Sequence, residues 1–352
     1  MNQYKLLLKI YLSLGLILLW LTTGFAANPN AENGIFDQMH YKDVLEMTIE
    51  SDFERLINDR RNEEYQSAKL SFKDRNGQTQ DWDIKVKLRG KFRRMNCSDI
   101  PPLKLKFKKS ELEAAGLSDF NDMKLVTQCV HDKALAQDLI KREFAAYRLY
   151  NQISPYSYRV QMLRITYIDT NSGSKRKEWA FLIEDTAQLK ARLGLEACDE
   201  CWNQPFDRFH TEEIRQVSIF QYLIGNPDWG IPTSKNVKLL LKDGKIIAVP
   251  YDFDFSGLVD APYAAPNGTL GILSVKSRVY LGFEEDPQNL YNSLYSIYGN
   301  RTDLIDLIMD MKFVNRDSRI YMVEYLEDFF DNFESIKSGE KNILELVNMV
   351  SP

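Results

Sequence analysis

The chain has 352 residues, a hydrophobic content of 44% and a formal net charge of -5. That length accommodates one two-lobed domain or two small ones around a sizeable core. The acidic balance argues against a general nucleic-acid binder, whose electrostatic footprint is basic.

In chain order, residues 1–27 read first, as a targeting segment. Lys5 and Lys9 give a positive start, Ile10 to Leu21 is apolar, and Thr22 to Ala27 offers small residues for cleavage. Cleavage predicts an exported protein with no stable membrane span. An uncleaved anchor is the alternative, although the apolar run is short of the roughly 20 residues a span needs. No Cys lies near this boundary, which disfavours a lipoprotein. Residues 28–45 read as a linker, 46–187 as a first unit and 188–352 as a second.

The first unit opens with a stretch, Lys42 to Asp59, whose pattern assigns neither helix nor strand. Ser67 to Lys73 and Trp82 to Leu88 then alternate apolar and polar residues, with Asn76-Gly77 between them as a hairpin turn. Leu103 to Phe107 and Met123 to Thr127 add two strands. Asp132 is placed to cap a helix over Ala134 to Asn151, which Pro155 follows. Tyr158 to Asp169 and Glu178 to Glu184 are two more strands. The second unit is mainly helical, with helices predicted over Thr211 to Ile224, Thr302 to Met311 and Arg319 to Ile336.

Four cysteines, Cys97, Cys129, Cys198 and Cys201, are an even set. In an oxidising compartment they read as disulfides. The spacing lets Cys198 close on Cys201, which leaves Cys97 with Cys129. A four-thiolate zinc site is the alternative, but Cys97 and Cys129 form no second short-spaced pair. The three histidines have no metal-ligand spacing, and no nucleophile elbow occurs.

The densest chemistry lies in the second unit. Asn226-Pro-Asp228 runs through Lys235-Asn236 into Val237 to Leu241. Asp243-Gly244 turns the chain back through Lys245 to Val249, and Pro250-Tyr-Asp252-Phe-Asp254 follows. A hairpin returns its ends to one place, so Asp228 and Asn236 should meet Asp252 and Asp254. Four oxygen-bearing groups at one spot suit a hard cation such as Mg2+. If the strand runs on, Asp252 and Asp254 share a face.

These two clusters, with Leu88-Arg89-Gly90 leading into a Lys-rich strand, the helix near Asp132 and the strand ending Phe181-Leu-Ile-Glu184, resemble the CotH kinase family. Members of that family are secreted or spore-coat-associated proteins. The clusters are also similar to those of the more distant HipA-type kinases. The resemblance implies an α+β, two-lobed, atypical protein-kinase-like fold with an antiparallel-sheet N-lobe (46–187) and a mainly helical C-lobe (188–352). It further implies an exported kinase that uses ATP and Mg2+ to phosphorylate Ser or Thr on a secreted or surface protein. A catalytically inactive binding module of the same fold is the alternative. The chain departs from ordinary protein kinases in having no Gly-rich phosphate loop and no His-Arg-Asp triplet. Eight positions separate Asp228 from Asn236, against about five in the kinase catalytic loop.

By that resemblance, Asp228 orients the acceptor hydroxyl, and Asn236 and Asp252 hold metal with Asp254 assisting. Lys104 or Lys106, which the pattern does not separate, contacts phosphates and pairs with Glu143. Arg89 stands in for the missing loop, and Glu184 marks the adenine-binding hinge. Each has an ordinary structural reading too. Asn-Pro-Asp is common turn chemistry, alternating lysines cover the wet face of a strand, and Arg89 fits a solvated basic turn.

Overall fold

The computed structural model describes residues 33–41, 43–97, 100–266, 268–283 and 286–343. The 1–27 targeting segment and the first residues of the linker lie outside the described residues. Within the linker, Ile35–Met39 forms a short helix, α1, that buries Ile35, Phe36 and Met39.

Period-two alternation builds the first unit. Its strands are β1 (Leu45–Ser51), β2 (Gln66–Lys73), β3 (Thr79–Leu88), β4 (Leu103–Lys106), β5 (Asp122–Val126), β6 (Val160–Asp169) and β7 (Lys175–Ile183). Met47 and Ile49, Leu70, Val86, Leu105 and Leu125 all point into one apolar interior. Three helices interrupt the strands: α2 (Phe53–Asn58), α3 (Lys91–Asn96) and α4 (Lys109–Ala114).

The strand order β1-β2-β3-β4-β5-β7-β6 closes on itself as a barrel. The closing pair is β1 with β6. It is parallel, from Leu45 opposite Leu163 to Ser51 opposite Asp169, whereas β1 pairs antiparallel with β2. This overturns the expected two-lobed kinase-like fold with an antiparallel-sheet N-lobe. The first unit is a closed, mixed seven-stranded barrel with helices. The physical reason is β1, which lies in the stretch that sequence pattern left unassigned. It supplies the strand that joins both sheet edges, and closure leaves no open edge.

The long helix α5 (Lys133–Ile153) lies against the outside of the barrel. Asp132 caps it, its carboxylate accepting from the Ala134 and Leu135 amides. Phe144 and Tyr147 meet Phe181 of β7 edge to face, with ring centroids 5.9 and 5.5 Å apart. Phe181 and Ile183 point outward into this second core, while their neighbours Ala180 and Leu182 point into the barrel.

After α6 (Thr186–Leu193), the short β8 (Glu196–Ala197) joins a hairpin, β9 (Val237–Lys242) and β10 (Lys245–Pro250), in a three-stranded sheet. Helix α7 (Thr211–Leu223) precedes the hairpin, and α8 (Pro287–Gly299), α9 (Arg301–Asp310) and α10 (Arg316–Lys337) complete the chain. Both expected disulfides are formed, Cys97 with Cys129 and Cys198 with Cys201. Among the described residues, no helix is long and apolar enough to cross a membrane.

Candidate metal centre

The β9–β10 hairpin pairs from Lys242 and Lys245 at its turn to Val237 and Pro250 at its open end. One residue further on, the Tyr251 amide donates to the Asn236 carbonyl at 3.0 Å. The Asn236 side-chain amide donates to the Asp228 carboxylate at 2.9 Å and to the Asp228 carbonyl at 2.6 Å. Lys235 forms an ion pair with the same carboxylate. Behind it, Asn226 accepts from the Asp228 amide at 3.0 Å and donates to Gln221 at 2.9 Å. The hairpin therefore sets Asn236, which holds Asp228, opposite Tyr251 and next to the turn at Asp252, and Asp228 itself is not one of the three carboxylates that come together. Asn236 is committed to fixing Asp228 and stands outside the carboxylate group described next.

Asp252 is not the continuation of a strand. Its backbone is left-handed, with φ 66°, as is that of Asn236 at φ 52°. A non-glycine residue held there costs about 1–3 kcal/mol and persists only where its surroundings enforce it. Here the Asp252 amide donates to the Tyr147 hydroxyl at 2.8 Å. Tyr147 lies one helical turn beyond Glu143 on the same face of α5. Glu143, Asp252 and Asp254 thus come together, each with an oxygen within 4.8 Å of the others. Strand alternation was the wrong reason for expecting Asp252 beside Asp254, because the turn at Asp252 brings them together.

Arg93 of α3 enters this group. Its Nη2 lies 2.6 Å from Glu143 Oε2 and 2.8 Å from Asp254 Oδ2, and its Nε donates to Asp254 at 3.0 Å. Burial pushes both carboxyls above their usual range, and Arg93 only partly offsets this. Burial also opposes the charge on Arg93, but Asp254 and Glu143 outweigh it and hold the guanidinium protonated. Glu143 is 1% exposed, and its Oε1 is buried without a hydrogen-bond partner. Three carboxylates against one guanidinium leave two negative charges uncompensated when all are ionised. An orphaned buried carboxylate oxygen beside two further carboxylates fits a hard divalent cation.

The expected phosphate lysines have other partners. Lys104 forms an ion pair with Asp122 at 2.9 Å, and Lys106 lies over the Tyr65 ring at 5.5 Å. Neither pairs with Glu143, whose partner is Arg93. Lys124 of β5, opposite Lys104 in the sheet register, escaped the sequence reading. It is half-buried between the rings of Tyr158 and Tyr251, 5.1 and 5.0 Å from their centroids. Burial first, and Arg89 second, lower its pKa to about 8, against the pull of Asp252. Arg89 therefore does sit in the same electrostatic neighbourhood, just past β3. Its amide donates to the Pro102 carbonyl at 2.8 Å.

Glu184 is fully buried and already engaged. Its carboxylate meets Arg159 at 2.9 Å and Arg192 at 2.7 Å, and its amide donates to the Arg159 carbonyl at 3.1 Å. That network ties α1 to the barrel through Arg159 and Asp37 at 2.9 Å, a structural task that leaves the Glu184 amide no free hinge role. A cleft of about 680 Å³ lined by Glu50, Asp52, Arg55, Tyr65 and Lys69 shares none of the carboxylate cluster's residues. No family model matches the chain, and no curated protein matches it.

Proposed function

We propose that this protein is an exported, ATP- and Mg2+-dependent phosphotransferase that acts on Ser or Thr hydroxyls of a secreted or surface protein, as its resemblance to the CotH kinase family implies. The observation that carries this reading is the unpartnered Glu143 Oε1 in the group formed with Asp252 and Asp254. These three carboxylates would hold Mg2+, which neutralises charge on a triphosphate. Lys124 and Arg89 add positive charge beside Asp252. Asn236 and Lys235 fix the Asp228 carboxylate. Asp228 would receive the acceptor hydroxyl's proton as that oxygen bonds to the γ-phosphorus and the bond to the ADP oxygen breaks. Two disulfides support export, because such bonds persist in oxidising compartments.

A second reading, a nucleotide-binding module without turnover, is favoured by one feature. Arg93 already satisfies part of Glu143 and Asp254. Transfer of label from γ-labelled ATP to a pool of exported proteins separates the two. Phosphotransfer predicts Mg2+-dependent labelling that falls by about 100-fold or more in Asp228→Ala and in Asp252→Ala. Both variants should still melt cooperatively. Labelling retained in both would overturn the phosphotransfer reading. Nucleotide-induced thermal stabilisation without label transfer would favour the binding module.

A further inference from the structure

Arg93 occupies ground that a divalent cation would share. The helix that carries it, α3, starts after Gly90 at φ 77° and ends at Cys97, whose amide donates to the Arg93 carbonyl at 2.9 Å. Cys97 is bonded to Cys129. Cys129 precedes Asp132, the cap of α5, and α5 carries Glu143. The two halves of the Arg93–Glu143 ion pair therefore sit on segments joined by one covalent bond.

Apolar burial of α3 is slight. Phe92 and Met95 are 42% and 48% exposed. Phe92 touches Phe255 and Tyr263, with centroids 5.6 and 5.8 Å away. Arg94 adds an ion pair with the exposed Glu63. A segment with so little buried surface opens at low free energy unless it is tied. The ties here are the disulfide, Arg93 itself, and Arg60, whose guanidinium donates to the Arg94 carbonyl at 3.3 Å and to the Cys97 carbonyl; of these only the disulfide is covalent.

We propose that Arg93 is a tethered cation that competes with a divalent ion for Glu143 and Asp254, and that the Cys97–Cys129 bond sets the strength of this competition. Reduction by a dithiol breaks the S–S bond. Two electrons and two protons pass to the cysteines, giving two thiols, and the dithiol closes to a cyclic disulfide. With the covalent tie gone, only the Arg60 hydrogen bonds and the Arg93 ion pairs hold α3, so it swings away more often and Arg93 leaves the carboxylates more often. Glu143 and Asp254 then lose their tethered competitor, and the divalent ion binds their oxygens more tightly. The sign follows from Coulomb competition alone. The proposal rests on the reading of Glu143, Asp252 and Asp254 as a cation site, and is independent of phosphotransfer.

Mn2+ binding to the full chain, followed by electron paramagnetic resonance without nucleotide, tests it. The protein is titrated oxidised, and again after dithiothreitol treatment and anaerobic desalting. The Mn2+ Kd of the native protein should fall roughly 5-fold or more on reduction. Cys97→Ser/Cys129→Ser should bind tightly with or without reductant. Arg93→Gln should bind tightly in both states, and Arg93→Lys should keep part of the redox response. Cys198→Ser/Cys201→Ser should respond to reductant as the native protein does. Equal affinity in the oxidised and reduced native protein overturns the proposal. So does a reduction effect as large in Arg93→Gln as in the native chain, or an absence of Mn2+ binding in every form. Should Arg93→Gln fail to melt cooperatively, the oxidised and reduced native titrations decide the matter by themselves. Loss of label transfer with the redox shift intact would sink the phosphotransfer reading only.

Discussion

Lys124 shows how much one side chain's surroundings decide. Lys87, Lys104 and Lys124 stand in register across β3, β4 and β5, so backbone position alone makes them equivalent. Their partners make them different. Lys104 is neutralised by Asp122 at 2.9 Å, while Lys124 sits between two tyrosine rings within the field of Asp252 and Arg89. With its pKa lowered to about 8, the free Lys124 is charged below that pH and loses its proton above it. If it meets the triphosphate, Lys124→Met should weaken binding of a non-hydrolysable ATP analogue about 10-fold at neutral pH. Lys104→Met should change it by less than about 2-fold. In the native protein, affinity should drop as pH rises beyond about 8, at a somewhat higher pH once bound phosphate supports the charge. Calorimetric titration across that range checks both statements. A Lys104→Met loss larger than that of Lys124→Met would reverse the assignment.

Among the elements, β1 governs the first unit. Ile49 is fully buried and faces both Leu70 of β2 and Tyr167 of β6 in register. Truncating it to alanine should cost about 2–5 kcal/mol in denaturant unfolding. Glu46→Ala, on the outer face and paired with the half-exposed Lys177, should cost no more than about 1 kcal/mol. Similar losses in both variants would mean that β1 does not close the barrel. This strand also marks where sequence legibility stopped. Local signals, alternation and the Asn76-Gly77 turn, placed β2 and β3. The Asp132 cap likewise placed α5, and Asp243-Gly244 placed the β9–β10 hairpin that sets Asn236 opposite Tyr251, beside Asp252. The β1–β6 pairing joins residues far apart in the chain and leaves no local mark. For the same reason Lys124 stayed hidden, and Arg93 showed in the sequence only as one residue of the basic turn after Arg89-Gly90. Each becomes chemically special only when tertiary packing sets it against Asp254 or Tyr251.

At the scale of the molecule, two apolar cores meet along β6 and β7, whose faces contribute to both. One fills the barrel, and the other holds the helices to its outside. The carboxylate group lies where the parts converge: Arg93 from the barrel unit, Glu143 from α5, and Asp252 and Asp254 from the loop after β10. A site assembled from three separate segments is organised only in the folded whole, as expected for a cation that must find its ligands pre-positioned. The most direct test of this assembly is an anomalous difference map from crystals grown with Mn2+. One strong peak is expected within coordination distance of Glu143, Asp252 and Asp254, absent from crystals of Asp252→Asn. A map with no peak there, or with Mn2+ only at other carboxylates, would contradict it.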